Sequence, residues 1–187
     1  MKNLKNFSIN FASLSDGEHY FNYHLDAKFL ENFENSLIQD ADIDVEVRLE
    51  KRTSILELDF DFQGTIPAIC DICAEPFQLE IDAFETLLVK FVSILPEEED
   101  MSTEVMNIEY GETQLNIAQQ LYEILILSIP ISQRHEEDDN GELTCNPETL
   151  AALKRMSNNQ SEKDSKKGHD KEDNSGNSVW DILKDLN

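Results

Sequence analysis

Two cysteines three positions apart have the residue type and the spacing that metal binding or redox chemistry requires. Cys70 and Cys73 lie in the segment "CDICAEPF", between two segments with the alternation of strands. A Cys-x-x-Cys pair in a tight turn between strands is a usual half of a zinc site. A thioredoxin-like redox motif instead needs a helix that starts within it. Pro76 and the alternation that follows it favour a strand here.

Two further candidate ligands occur later in the chain. His135 and Cys145 lie in "RHEEDDNGELTC", after a segment with helical periodicity. With Cys70 and Cys73 they would form a closed Cys₃His structural site for Zn²⁺. The nine residues between His135 and Cys145 are unlike the short spacing of most paired ligands. Spacing alone therefore leaves two interpretations, a zinc site or inert turn cysteines.

The apolar residues alternate through much of the chain and predict a sheet that positions the first cysteine pair. The clearest strands are 43–49 and 56–62, and the turn near 51–54 makes them a hairpin. Similar patterns predict strands at 7–11, 21–25 and 105–110, and a strand pair within 77–94.

Three segments have helical patterns. A short helix is predicted over 26–36 with Asp26 as its N-cap. A helix of about four turns is predicted within 113–130, where Pro130 ends it. A third is predicted over 146–156, with Asn146 as N-cap.

These elements predict an α+β protein, with a mostly antiparallel curled sheet or partial β-barrel and one long helix late in the domain. A single domain is expected over 1–156, followed by a disordered polar linker over 157–177. A short amphipathic helix is predicted over 178–187. Its Trp180 and Leu183 would pack either on the protein's own domain or on a partner.

The net charge of the chain indicates which classes of partner it can bind. Its 15 Lys and Arg residues face 39 Asp and Glu residues, which gives a formal net charge of −24. Such a surface repels nucleic-acid phosphates and acidic membranes and favours basic proteins, although solubility alone also explains acidity. The sequence has no long apolar run, no secretion signal and no recognised catalytic motif, so we expect a cytoplasmic protein that is not an enzyme.

Part of this acidity is predicted to lie on one face of the 43–62 hairpin. The expected register sets Glu46 opposite Asp59 and Asp44 opposite Asp61. Like charges directly opposite one another destabilise a sheet by roughly 0.2–1 kcal/mol per pair. These four carboxylates are therefore a candidate docking surface for a basic partner. The alternative is a solvated face that only discourages edge-to-edge aggregation.

Several segments resemble the YceD-like family, the large ribosomal RNA subunit accumulation proteins, in a Bacteroidetes-type form. The most specific match is "CDICAEPFQLEI", which is similar to the family's Cys-x-x-Cys-x-x-Pro-aromatic hairpin. "LNIAQQLYEILILSIPISQRH" resembles its helix, and "SVWDILKDL" its C-terminal element. The resemblance extends over nearly the whole chain. Cysteine-rich branches of the family have a second cysteine pair after the helix, where this chain has only His135 and Cys145.

The resemblance implies a bacterial, non-enzymatic ribosome-biogenesis factor needed for large-subunit ribosomal RNA to accumulate. The acidic composition favours action through a basic ribosomal protein or a large-subunit assembly intermediate. One alternative is direct binding of ribosomal RNA by a zinc-knuckle tip, which the scarcity of basic residues makes the weaker expectation. A second alternative is a thiol-dependent redox protein or hydrolase that uses Cys70 or Cys73.

Overall fold

The computed structural model describes residues 4–93, 105–137, 141 and 143–166, the last ten by their backbone alone. The strands are β1 (Ser8–Ile9), β2 (Gly17–Leu25), β3 (Asp42–Lys51), β4 (Ile55–Ile69), β5 (Pro76–Val92), β6 (Val105–Glu109) and β7 (Leu115–Asn116). The α-helices are α1 (Ala27–Leu30), α2 (Ala118–Ser128) and α3 (Pro147–Lys166), and 3-10 turns span Leu4–Phe7 and Phe11–Ser13.

Five strands form one sheet in the order β2-β3-β4-β5-β6, and β1 pairs with β7 in a separate ladder. Strands β2 to β5 are antiparallel neighbours, whereas β6 runs parallel to β5. The α+β class is thus confirmed. Within the described residues, the edge strands β2 and β6 do not pair with each other, so the sheet is open and does not close into a barrel.

Apolar and polar residues alternate along β3, so one face of the sheet is buried. Ile43, Val45, Val47 and Leu49 are at most 1% exposed, while the residues between them face outward. The core also contains the buried stripe of α2, formed by Ala118, Leu121 and Leu125. Each fully buried aliphatic side chain of this kind stabilises a fold by about 1.5–3 kcal/mol relative to exposure.

Two of the predicted capping residues are confirmed. The Asp26 side chain accepts a hydrogen bond from the Phe29 N–H at 3.0 Å, and it caps the four-residue helix α1. The Asn146 side chain accepts from the Glu148 N–H at 2.9 Å at the start of α3.

The predicted four-turn helix is wrong at its start. Leu115 and Asn116 form β7, and α2 begins only at Ala118 and spans 11 residues. The apolar spacing suits a helix, but the backbone pairs with Ser8 and Ile9 instead. The Asn116 side chain then accepts from the Ala118 N–H at 3.0 Å, which helps to start the helix at that point.

Two strand predictions also need correction. The strand expected over 7–11 is only Ser8–Ile9, because 3-10 turns occupy both sides of it. The strand pair expected within 77–94 is one continuous strand, the 17-residue β5. Residues 77–92 contain no Gly, Pro or Asn that would favour a turn.

The chain divides into two compact units, Met1–Thr144 and Cys145–Asn187. The single domain expected over 1–156 stays a prediction. Helix α3 continues to Lys166, ten residues into the predicted linker, and this segment contains no Gly or Pro. The rest of the linker and the predicted helix over 178–187, with Trp180 and Leu183, lie outside the described residues. None of the described helices is both long and apolar enough to cross a membrane.

Candidate metal centre

The turn between β4 and β5 holds the first cysteine pair. The Cys70 N–H donates to the Glu75 carbonyl at 2.9 Å, and the Ala74 N–H donates to the Cys70 carbonyl at 2.8 Å. Ala74 has a φ of 59°, a left-handed conformation that costs a non-glycine residue energy. These features fold residues 70–75 into a tight turn that places Cys73 back beside Cys70.

The sulfur of Cys70 lies among backbone N–H groups. The N–H of Ile72 donates to the Cys70 Sγ at 3.4 Å. Burial raises the pKa of the Cys70 thiol, but hydrogen bonds from the backbone of Cys73, His135 and Ile72 and from the Cys73 side chain outweigh burial. The pKa of Cys70 falls from 9.0 to about 6. The lowered pKa favours the thiolate, the form in which cysteine binds metals.

A reciprocal pair of hydrogen bonds joins this turn to the segment after α2. The Asp71 N–H donates to the Gln133 carbonyl at 2.7 Å, and the Gln133 N–H donates to the Asp71 Oδ2 at 2.7 Å. His135 follows two residues later. Its Nδ1 lies 3.5 Å from the Cys73 Sγ, and its ring centroid lies 4.8 Å from that of Phe77. This pair of hydrogen bonds, the Asp71–Gln133 clamp, thus sets the position of His135 relative to the cysteine pair.

The nine-residue gap between the last two candidate ligands is closed by local pairing. Glu137 and Leu143 form an antiparallel bridge. The Thr144 N–H and Oγ1 both donate to the Glu136 carbonyl, at 3.2 and 2.8 Å. The chain therefore returns beside itself, and Cys145 directly follows Thr144. The residues at the two ends of the long spacing that weakened the zinc prediction are therefore paired with each other.

The four predicted ligands come together. One ligand atom from each of Cys70, Cys73, His135 and Cys145 lies within 4.8 Å of the others. Cys70 and Cys145 are buried, and Cys73 and His135 are half-buried. All three cysteines of the chain are among the described residues, and none forms a disulfide.

One distance within the cluster matches the separation of two ligands on a tetrahedral zinc ion. Zn–S bonds of about 2.3 Å and Zn–N bonds of about 2.0 Å place tetrahedral S and N ligands about 3.5 Å apart. The distance between Cys73 Sγ and His135 Nδ1 is 3.5 Å. Three thiolates and one imidazole form a soft donor set that suits Zn²⁺ rather than Mg²⁺ or Ca²⁺.

The acidic hairpin has a register different from the predicted one. Glu46 lies opposite Asp61, Asp44 opposite Gln63, and Arg48 opposite Asp59. The pairs Glu46–Asp59 and Asp44–Asp61 are therefore wrong by one step of two residues. The cause is the turn: the Arg52 N–H donates to the Ile55 carbonyl at 3.0 Å, which centres the turn later than the sequence suggested.

Asp59 must be removed from the candidate docking surface. It is only 8% exposed. Its Oδ1 accepts from the Thr86 hydroxyl at 2.7 Å, and its Oδ2 accepts from the Arg48 Nε at 2.9 Å and from the Arg48 Nη2. A buried carboxylate with these partners stabilises the sheet and does not face a ligand. Asp44, Glu46 and Asp61 remain on the outer face.

Sequence reasoning missed two features of these sites. The Asp71–Gln133 clamp joins residues 62 positions apart, and neither side chain type signals such a contact. The burial of Asp59 had a weak signal, because Arg48 is the only basic residue on the predicted outer face of the neighbouring strand.

The fold and site define an α+β protein whose longest hairpin ends in a cluster able to hold a metal. The chain belongs to the YceD family: the family model described as "Large ribosomal RNA subunit accumulation protein YceD" matches residues 58–187. The match includes all four candidate ligands and omits residues 1–57, which the sequence resemblance had also included. No curated protein and no solved structure matches the chain. Family membership implies involvement in the accumulation of large-subunit ribosomal RNA.

Proposed function

We propose that this protein is a non-enzymatic ribosome-biogenesis factor of the cytoplasm that binds a basic ribosomal or large-subunit assembly protein through its acidic sheet face. The observation that carries the proposal is the charge of the outer face of β2 to β5. It bears two fixed cations, Arg48 and Lys90, beside nine carboxylates other than the buried Asp59, and Arg52 in the adjoining turn pairs with two of the nine, Glu50 and Glu57. The nine carboxylates are Glu18, Asp42, Asp44, Glu46, Glu50, Glu57, Asp61, Glu80 and Asp82.

Two carboxylates lie next to each other near the centre of this face. Glu46 and Asp61 are direct cross-strand neighbours, a like-charge pair that weakens a sheet. Together with Asn22, Asp44 and Gln63 they line a shallow depression. A lysine or arginine from a partner would relieve the repulsion and accelerate association.

A triple variant tests this surface. Asp44→Asn, Glu46→Gln and Asp61→Asn remove three charges and leave the buried Asp59 in place. We expect weaker capture of basic ribosomal proteins and a smaller salt dependence of binding, with melting unchanged or improved. The matched control replaces the exposed Glu31, Glu34 and Glu112 with Gln, which removes the same number of charges elsewhere.

The capture is measured with and without nuclease treatment. Partners that persist after RNA digestion support protein-mediated binding. Equal capture by the two triple variants would contradict the proposed surface, and loss of all partners on digestion would favour the RNA-binding alternative. The metal-centre turn itself favours protein over RNA, because Asp71 and Glu75 in the turn and Glu136 and Glu137 after His135 outnumber the neighbouring Arg134.

We also infer that the Cys₃His cluster binds one Zn²⁺ in a structural role. Zinc would hold the β4–β5 turn against the segment after α2 and would supply no reaction step. Protein prepared without chelator should contain about one zinc per chain by elemental analysis. The Cys73→Ser variant should lose the zinc. The control variant Ser132→Ala, which alters an exposed residue close to His135 in the sequence, should retain it. Zinc below one-tenth per chain in the wild type would overturn the inference.

A further inference from the structure

Strand β5 is longer than the strand that covers its outer edge. Strand β4 pairs with it from Pro76 to Lys90, whereas β6 pairs only with Leu88–Val92. Among the described residues, Pro76–Leu87 therefore has a strand neighbour on one side only. Such an edge presents unpaired backbone N–H and C=O groups, which another extended chain can bind.

A groove with apolar walls lies beside this free edge. Its volume is about 190 Å³, and it lies between β5 and α2. The apolar lining includes Ala83, Leu87, Ile124 and Leu127, and Leu127 is 77% exposed. Because Leu127 of α2 is exposed beside the unpaired edge, the groove has room for a side chain of a bound segment.

The opposite face of the same edge has a second depression. It is lined by Phe84, Glu85, Thr86 and Leu88, and Phe84 is 65% exposed. Successive side chains of an added strand point to opposite faces of a sheet. Depressions on both faces can therefore receive alternate side chains of an incoming segment, the apolar groove on one face and a mixed apolar and polar site on the other.

One polar atom in the groove lacks a partner. The Oε1 of Gln120 is buried, and it accepts no hydrogen bond from any described residue. A buried acceptor without a donor destabilises the unbound protein. An N–H donor from a bound segment would satisfy it.

The charges around the edge select the occupant. Glu85 and Glu123 line the groove, and Glu80 and Asp82 lie on the free part of β5. A second copy of this chain is disfavoured, because each copy carries a net charge of −24. The complementary partner is a basic segment with aliphatic side chains.

We propose that the Pro76–Leu87 edge of β5 is a strand-addition site for an extended, basic segment of a partner protein. The proposal rests on the proposed function in taking the partner to be a basic protein, and it adds the mode of binding. Backbone pairing supplies affinity, the groove holds an aliphatic side chain, and the flanking carboxylates hold lysine or arginine.

Peptides of alternating lysine and valine are the probe. A second peptide has the same sequence with N-methyl groups on alternate residues, so that its charge is unchanged but its strand pairing is blocked. We expect the unmethylated peptide to bind the full chain at least about tenfold more tightly. Amide hydrogen exchange in residues 77–87 should slow on binding. Equal affinity for the two peptides would overturn strand addition while leaving basic-partner binding intact.

Two variants of the full chain locate the binding. Leu127→Lys places a cation in the groove and should weaken binding, whereas Leu37→Lys, at a leucine that is 79% exposed elsewhere, should not. The combined Trp180→Ala and Leu183→Ala variant tests the chain's own C-terminal segment as the occupant. If the peptide binds only this double variant, the edge belongs to that segment and the partner proposal is wrong.

Discussion

Asp71 and Gln133 bind each other twice, with the backbone N–H of each donating to an oxygen of the other at 2.7 Å. One of these oxygens is the Asp71 carboxylate, so a side chain completes the link between the β4–β5 turn and the segment that carries His135. The pair therefore positions candidate metal ligands without being a ligand itself.

Loss of the Asp71 carboxylate should weaken zinc binding and leave the fold intact. Groups that orient ligands typically contribute 10- to 100-fold to metal affinity, and we expect a decrease of about that size for Asp71→Ala. Zinc affinity is measured by competition with a chromogenic chelator, and folding by circular dichroism. Asp82→Ala is the matched control, because Asp82 is an exposed carboxylate on the same hairpin. Equal zinc affinities in the two variants would contradict the role of the clamp.

The network around Asp59 should stabilise the sheet. The Thr86 hydroxyl donates to the Asp59 Oδ1 at 2.7 Å, a hydrogen bond to a charged acceptor. Its loss in Thr86→Val should lower the free energy of unfolding by about 1–2 kcal/mol. Thr65→Val is the control, since Thr65 is half-buried on β4 and is not among the described partners of Asp59, which are Arg48 and Thr86. Urea unfolding of both variants measures the difference, and equal losses would contradict the assignment.

Local sequence patterns predicted β3, β4 and the two side-chain caps, because those depend on alternation and on near neighbours. They failed where a distant strand decided the outcome. Leu115 fits the apolar stripe of a helix but pairs with Ile9 across the chain. The predicted register of the acidic hairpin was wrong for a different reason. An error of one residue in the predicted centre of the turn moves every cross-strand partner by two residues.

In the metal cluster, too, the features set by near neighbours could be predicted and those set by distant pairing could not. The Cys-x-x-Cys turn could be predicted because its flanking strands are visible in the sequence. The convergence of His135 with Cys145 depends on pairing between Glu136 and Thr144, and no hydrophobic pattern indicates that pairing. The four residues selected by their ligand types are nonetheless the ones that the structure brings within 4.8 Å of one another.

Gly64 is a position on β4 where only glycine fits. Its φ is 155°, and a Cβ added there would lie 2.1 Å from the Asp42 carbonyl oxygen on the neighbouring strand. Because backbone atoms of two paired strands cannot separate cheaply, Gly64→Ala should destabilise the protein by more than about 1 kcal/mol. Gly111→Ala is the control, since Gly111 also has a positive φ, of 106°, but has no atom within 4 Å of an added Cβ. Thermal melting should show the larger loss for Gly64→Ala, and the reverse order would exclude the clash as the cause.

His24 should stabilise the sheet more at low pH than at high pH. Its Nδ1 lies 2.9 Å from the Asp44 Oδ1. This hydrogen bond raises the pKa of His24 above 6.5, partial burial opposes it, and the charges of Asp44, Asp42 and Asp26 add to the increase. A raised pKa in the folded state means that folding favours the protonated imidazole. The stabilisation is complete below the unfolded pKa near 6.5 and is lost as pH rises through the higher folded value.

The Asp44→Asn variant tests this relationship directly. The His24 side chain is 52% exposed and that of Asp44 is 85% exposed, so solvent and salt screen the pair and the effect on stability should be small. NMR titration of the His24 ring should give a lower pKa in Asp44→Asn than in the wild type. Asp61→Asn, which removes a carboxylate that does not contribute to the His24 shift, should leave the pKa unchanged. The stability difference between wild type and Asp44→Asn should shrink from about pH 6 to about pH 8. A His24 pKa that is the same in both proteins would show that the hydrogen bond to Asp44 does not hold the proton.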